Sequence, residues 1–101
     1  MAEFRTVARV DEVPPGHVRT VHAGEEEIAL AHVDGAFYAT QHACIHLEGP
    51  LGEGRLEGCV LTCPWHGWQY DVRTGENEFD RAIVLRTYEV RVEDGEVQVA
   101  L

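Results

Sequence analysis

The chain has 101 residues, 45% hydrophobic and 26% charged, which is enough for one core and too few for a two-domain enzyme, with neither disorder nor a fibrous repeat indicated. Eighteen acidic residues against eight basic ones leave a formal charge of −10; such a surface repels phosphate backbones and anionic lipid headgroups, so neither nucleic acid nor a membrane is an expected partner. All eight basic residues are Arg, a skew for which the sequence offers no physical account.

From Phe4 to Val10 the residues read as a strand, which Asp11-Glu12-Val13-Pro14-Pro15-Gly16 interrupts because two prolines cannot continue a ladder. Val18–His22 and Glu27–Val33 follow as β-rich runs separated by Ala23-Gly24, with Ile28, Leu30 and His32 alternating against Ala29, Ala31 and Val33. Asp34-Gly35 suits a tight hairpin turn into Ala36–Thr40. Near the end, Thr87–Val92 and Glu96–Leu101 flank Asp94-Gly95, a second hairpin signal with period-2 spacing at Val90, Val92, Val97 and Val99. No segment carries a 3.6-residue apolar stripe. The acidic run Glu25-Glu26-Glu27 reads as a solvated turn. No stretch approaches the ~20 apolar residues of a membrane span, and Met-Ala-Glu-Phe-Arg at the start has no apolar signal core, so a soluble, cytoplasmic protein is expected.

Residues 41 to 75 have a different texture, with all three cysteines, both tryptophans and little regular alternation, as expected of a loop-rich site on a β scaffold. Three cysteines are too few for a disulfide framework, and two stand beside histidines. Cys44-Ile45-His46 is a Cys-x-His pair and Cys63-Pro64-Trp65-His66 a Cys-x-x-His pair. Two thiolates and two imidazoles suit either zinc or an iron-sulfur centre. Zinc modules more often pair like ligands at short spacing, whereas an iron-sulfur centre with two histidines places thiolates on one iron and imidazoles on the other. One Cys and one His from each of two facing loops can serve both irons.

Cys44-Ile45-His46-Leu47, the gap, Cys63-Pro64-Trp65-His66-Gly67 and the following Gln69-Tyr70-Asp71-Val72-Arg73-Thr74-Gly75 closely resemble the two cluster-binding loops of the Rieske family. The resemblance implies an all-β chain with the Rieske (ISP-like) fold. Strands of residues 1–41 and 76–101 would form an antiparallel β-sandwich base, with a cluster-binding subdomain at 42–75 inserted in a single domain of 1–101. It also implies a Rieske-type 2Fe-2S cluster, with Cys44 and Cys63 on the inner iron and His46 and His66 on the outer. High-potential members carry a disulfide and a Ser where this chain has Gly49, Trp65 and Trp68; without them the potential should fall towards roughly −150 mV. Tyr70 keeps a phenol where family members often hydrogen-bond a cysteine sulfur. A low-potential member of this size is similar to the ferredoxin of a multicomponent ring-hydroxylating oxygenase, which takes electrons from a flavin-containing ferredoxin reductase and gives them to a terminal oxygenase without catalysis of its own.

The residues around the motif invite plainer roles. Cys59 lies outside the ligand pattern and before Val60-Leu61, so a buried free thiol on a strand is expected. His42 is near Cys44, yet an ordinary surface or satisfied histidine is the simpler role. Trp65 and Trp68 are expected to pack around the cluster and limit water. The segment Glu76–Ala82 has no proline to cover the site, which leaves Phe79 as the candidate cover. Two rival functions share these features: the small Rieske-like subunit of an assimilatory nitrite reductase, and a structural zinc module. Metal analysis separates the chemistries: the purified protein should be red-brown with iron and sulfide in equal amounts, whereas a colourless zinc protein would exclude electron transfer.

Overall fold

The computed structural model describes residues 3–45, 48–65 and 67–100. Among these the regular structure is β throughout apart from two short 3-10 turns, at Val10–Glu12 and Leu51–Glu53. The strands, in chain order, are β1 (Phe4–Arg9), β2 (Val18–Ala23), β3 (Glu26–Val33), β4 (Ala36–Gln41), β5 (Arg55–Glu57), β6 (Val60–Thr62), β7 (Gln69–Asp71), β8 (Thr87–Tyr88), β9 (Val90–Glu93) and β10 (Glu96–Ala100). They form three antiparallel sheets ordered β1-β10-β9, β2-β3-β4-β8 and β5-β6-β7. Both hairpin turns fall where the sequence places them. Asp34 and Gly35, and Asp94 and Gly95, all adopt positive φ, the geometry that tight hairpins demand.

β3 explains how the sheets are layered. It pairs with β2 on one edge and β4 on the other, and Ile28, Ala29, Leu30 and Ala31 are all fully buried. Because side chains alternate across a strand, the four residues divide between two cores. Ile28 and Leu30 join Val21 and Ala39 against Val97 and Val99 of β10. Ala29 and Ala31, small enough to admit a close layer, face Leu51, Leu61, Tyr70 and Leu85 on the side of the cysteines. One strand thus supports both the base and the site. Cross-strand contacts reinforce it: the His32 ring stacks on Phe37 at 4.2 Å between centroids, and its Nδ1 lies 2.7 Å from the Val13 carbonyl oxygen, tying the proline turn to the sheet.

Two expectations need correction. Thr87–Val92 is not one strand: β8 pairs with β4, whereas β9 pairs with β10, so the chain changes sheets at Glu89. The period-2 pattern runs through the change unbroken, since a sheet switch need not alter which residues face inward. Residues 41–75 are also more regular than their texture suggests, because β5, β6 and β7 make a three-stranded sheet. At three residues each, these strands are too short for alternation to register. Packing predicts a sharp contrast between faces. Leu30→Ala should cost about 2–5 kcal/mol in denaturant unfolding, whereas Val92→Ala, at a half-exposed position, should stay within about 0.5 kcal/mol.

Candidate metal centre

Cys44 and Cys63 open two loops that close in the same way. The Cys44 N–H donates to the Gly49 carbonyl at 2.9 Å, and the Cys63 N–H to the Trp68 carbonyl at 2.8 Å, in each case five residues on. The first loop is anchored below by Leu51, whose N–H donates to the His42 carbonyl and whose side chain is fully buried. The second leaves β6 and returns on β7. Both cysteines are 1% exposed and belong to the same buried cluster. The fold therefore brings together the two sulfur atoms that the sequence pairs across a gap. His46 and His66 fall by sequence within these two loops and lie outside the described residues.

Donors surround the sulfurs. The Tyr70 hydroxyl is 3.2 Å from Cys44 Sγ, and the Trp65 N–H donates to Cys63 Sγ at 3.4 Å. Burial raises the Cys63 thiol above its usual range, and the neighbouring Cys44 adds to the rise. Burial, with Cys44 alongside, also pushes the Tyr70 phenol well above the ordinary range, so it stays neutral and keeps its proton to donate. A neutral apolar environment would leave paired thiolates unstable, and a bound cation removes that penalty.

Gly49 shows how tightly this space is drawn. A Cβ built there would lie 2.5 Å from Cys63 Sγ and 3.1 Å from the Trp65 Cβ. No side chain fits at 49 without displacing the Cys63 sulfur, so the backbone approaches that sulfur closely there. The donor set passes the chemical test for a thiolate-ligated metal: adjacent buried sulfurs, N–H and O–H groups aimed at them, and a backbone wall in place of a side chain.

Several neighbours differ from expectation. Cys59 is not buried on a strand; it occupies the turn that Gly58 makes at φ +60, before β6 begins, and is half-buried and free. Trp65 is 49% exposed, and its backbone N–H donates to the sulfur. Trp68 does pack against the core. Phe79 is 75% exposed, and its backbone N–H donates to Asn77 Oδ1. His42 is half-buried, and its Nδ1 is buried without a hydrogen-bond partner among the described residues. Asn77, which sequence reasoning passed over, is 2% exposed beside Tyr70; a lone polar residue in an acidic loop gives no periodic signal of burial.

The turn after β7 is held by Asp71. Its carboxylate accepts Arg73 Nη2 at 2.8 Å, Arg73 Nε at 3.1 Å and the Arg73 backbone N–H at 2.9 Å, and its carbonyl accepts the Gly75 N–H at 2.7 Å. The Arg73 guanidinium holds this carboxyl below the usual carboxylate range.

Against known proteins, the Rieske [2Fe-2S] domain family matches residues 3–89. The chain is 39% identical over 98 residues to the biphenyl dioxygenase ferredoxin subunit of Pseudomonas sp. (strain KKS102), covering 95% of this chain and 90% of that protein. Among solved structures it matches the Sphingomonas yanoikuyae B1 ferredoxin with a TM-score of 0.89 and 30% identity, covering 98% of this chain and 99% of that one. It also matches a chain in the complex of reduced oxygenase and oxidized ferredoxin in carbazole 1,9a-dioxygenase, with a TM-score of 0.86, 37% identity, and 96% and 92% coverage.

The Asp71–Arg73 pair predicts a pH dependence with a definite sign. A carboxyl whose folded pKa is depressed contributes stability that is complete above its unfolded pKa of about 4 and lost as pH falls through the folded value. The gap in unfolding free energy between this protein and Arg73→Ala should therefore be constant from about pH 7 to pH 5 and narrow below about pH 4. A gap independent of pH would mean that the pair's charge contributes nothing.

Proposed function

The chain belongs to the Rieske [2Fe-2S] domain family, and from that premise we propose that it passes single electrons from a flavin-containing ferredoxin reductase to a terminal ring-hydroxylating oxygenase. Its cofactor is a Rieske-type 2Fe-2S cluster. We assign Cys44, His46, Cys63 and His66 as the ligands. When bound, the cluster supplies a site that stores and releases one electron. One observation carries the assignment: two buried thiols stand together at the heads of two loops closed by the same backbone hydrogen bond, and each loop carries one histidine in its sequence.

The chain's own groups shape that chemistry. The Tyr70 hydroxyl and the Trp65 N–H are placed to hydrogen-bond the sulfurs and favour added negative charge. Trp68 stands where a hydroxyl donor is found in high-potential members, and Gly49 and Trp65 cannot form their disulfide, which supports a potential near the low end, roughly −150 mV. The fixed β scaffold limits movement on electron uptake. The reading assigns no catalysis to this chain, a division into base strands 1–41 and 76–101 with a cluster-binding insert at 42–75, and a cytoplasmic location, where reducing conditions keep its cysteines out of disulfides.

The partners rest on the relatives. The Pseudomonas relative is a dioxygenase ferredoxin subunit, and the carbazole dioxygenase match is a ferredoxin in complex with its oxygenase; both favour a shuttle over a nitrite reductase subunit. Among the described residues no helix is long and apolar enough to cross a membrane.

Ligand replacement tests the assignment. Cys44→Ser, Cys63→Ser, His46→Ala and His66→Ala should each abolish the Rieske visible and electron-paramagnetic signals, and Gly49→Ala should reduce cluster content by displacing Cys63. Retention of an intact spectrum in either histidine variant would overturn the ligand set.

A further inference from the structure

Asn77 faces Tyr70 across an antiparallel bridge. The Asp71 N–H to Glu76 carbonyl bond and the Glu78 N–H to Gln69 carbonyl bond flank this pair, each at 2.9 Å. Opposed residues in such a bridge send their side chains to the same face, and here both are inward: Tyr70 is fully buried and Asn77 is 2% exposed. The orientation of the Asn77 amide is set by its surroundings. Its Oδ1 accepts the backbone N–H groups of Phe79 at 2.8 Å and Asp80 at 3.0 Å, which identifies the other terminus as the amino group. That Nδ2 is buried and has no hydrogen-bond partner among the described residues. An amino group left in this condition costs free energy unless a nearby acceptor uses it.

We propose that Asn77 is a positioning residue for the redox centre, its Nδ2 directed at the Tyr70 phenol oxygen so that the phenol O–H is committed to Cys44 Sγ. This rests on the assignment of Cys44 as a cluster ligand. With the Asn77 amino group directed at the oxygen, the phenol's remaining capacity is to donate, and Cys44 Sγ at 3.2 Å is the acceptor. A phenol that accepts while it donates is a stronger donor. With the cluster bound, one electron supplied by the reductase would add negative charge at the centre without forming or breaking a bond, and this donor would stabilise it. Removal of the amide should therefore lower the midpoint potential.

The test is a double-mutant cycle in the holoprotein, read by protein-film voltammetry. Asn77→Ser removes the amide and retains a hydroxyl able to cap Phe79. It should lower the midpoint potential by less than Tyr70→Phe does, and should produce no further shift in the Tyr70→Phe background. Asn77→Asp, which keeps both caps, serves if the serine variant does not load; its downward shift should be larger in the parent than in Tyr70→Phe. An unchanged potential in Asn77→Ser, or a shift of the same size with and without the phenol, would overturn the proposal. Cys44→Ser, prepared in parallel, keeps the two ideas separate: a normal Rieske spectrum in that variant would defeat the ligand assignment, whereas its loss with an unmoved Asn77→Ser potential would defeat only the role of Asn77.

Discussion

The rest of this structure depends on holding two cysteine sulfurs side by side away from water. Buried thiolates repel each other and lose hydration, so the fold must supply either protons or a cation, together with directed donors. Every element near the site answers that demand. Identical backbone closures fix where each loop begins, Gly49 withdraws its side chain so that the second sulfur can approach, and the Tyr70 hydroxyl and Trp65 N–H point inward. Such positioning needs a rigid support, which comes from outside the loops.

β3 provides it. With Ile28 and Leu30 in one core and Ala29 and Ala31 in the other, movement of the strand would disturb both packings at once. The small side chains on the site-facing side let the 3-10 turn at Leu51–Glu53 lie close against β2 and β3; there a Cβ on Gly52 would come within 2.8 Å of the Thr20 Cα. Leu51 then sits beneath the first loop as a fully buried anchor. The base sandwich is thus mechanically continuous with the centre. For an electron carrier this continuity matters, because a donor shell that cannot relax adds little reorganisation to each transfer.

The sequence made some of this legible and concealed the rest for physical reasons. Hairpins at Asp34-Gly35 and Asp94-Gly95 were readable because few residues tolerate positive φ, and the chemistry was readable because metal ligands recur at fixed spacing. The change of sheets at Glu89 left no trace, since inward and outward residues keep their alternation through it. Three-residue strands at β5 to β7 carry too few positions for any period to show. Side-chain roles were hardest: Trp65 suggested packing, but its backbone does the bonding while its ring stays half exposed. Asn77 was invisible because its importance lies in what a bridge places opposite it.

Exposure at the end of the molecule bearing the cysteines completes the physical picture. Ile45, beside Cys44, and Trp65, two residues beyond Cys63, are each roughly half exposed, so both loops present apolar surface close to the sulfurs, while the chain as a whole carries a formal charge of −10. In the proposed shuttle these features act at different ranges. Charge works over about a Debye length and accelerates encounter with a partner of opposite potential. A small apolar contact then brings the surfaces together with too little buried area to hold them long. Fast arrival with fast release is the kinetic condition for such a shuttle, and a small apolar contact at the site on a strongly acidic chain meets it.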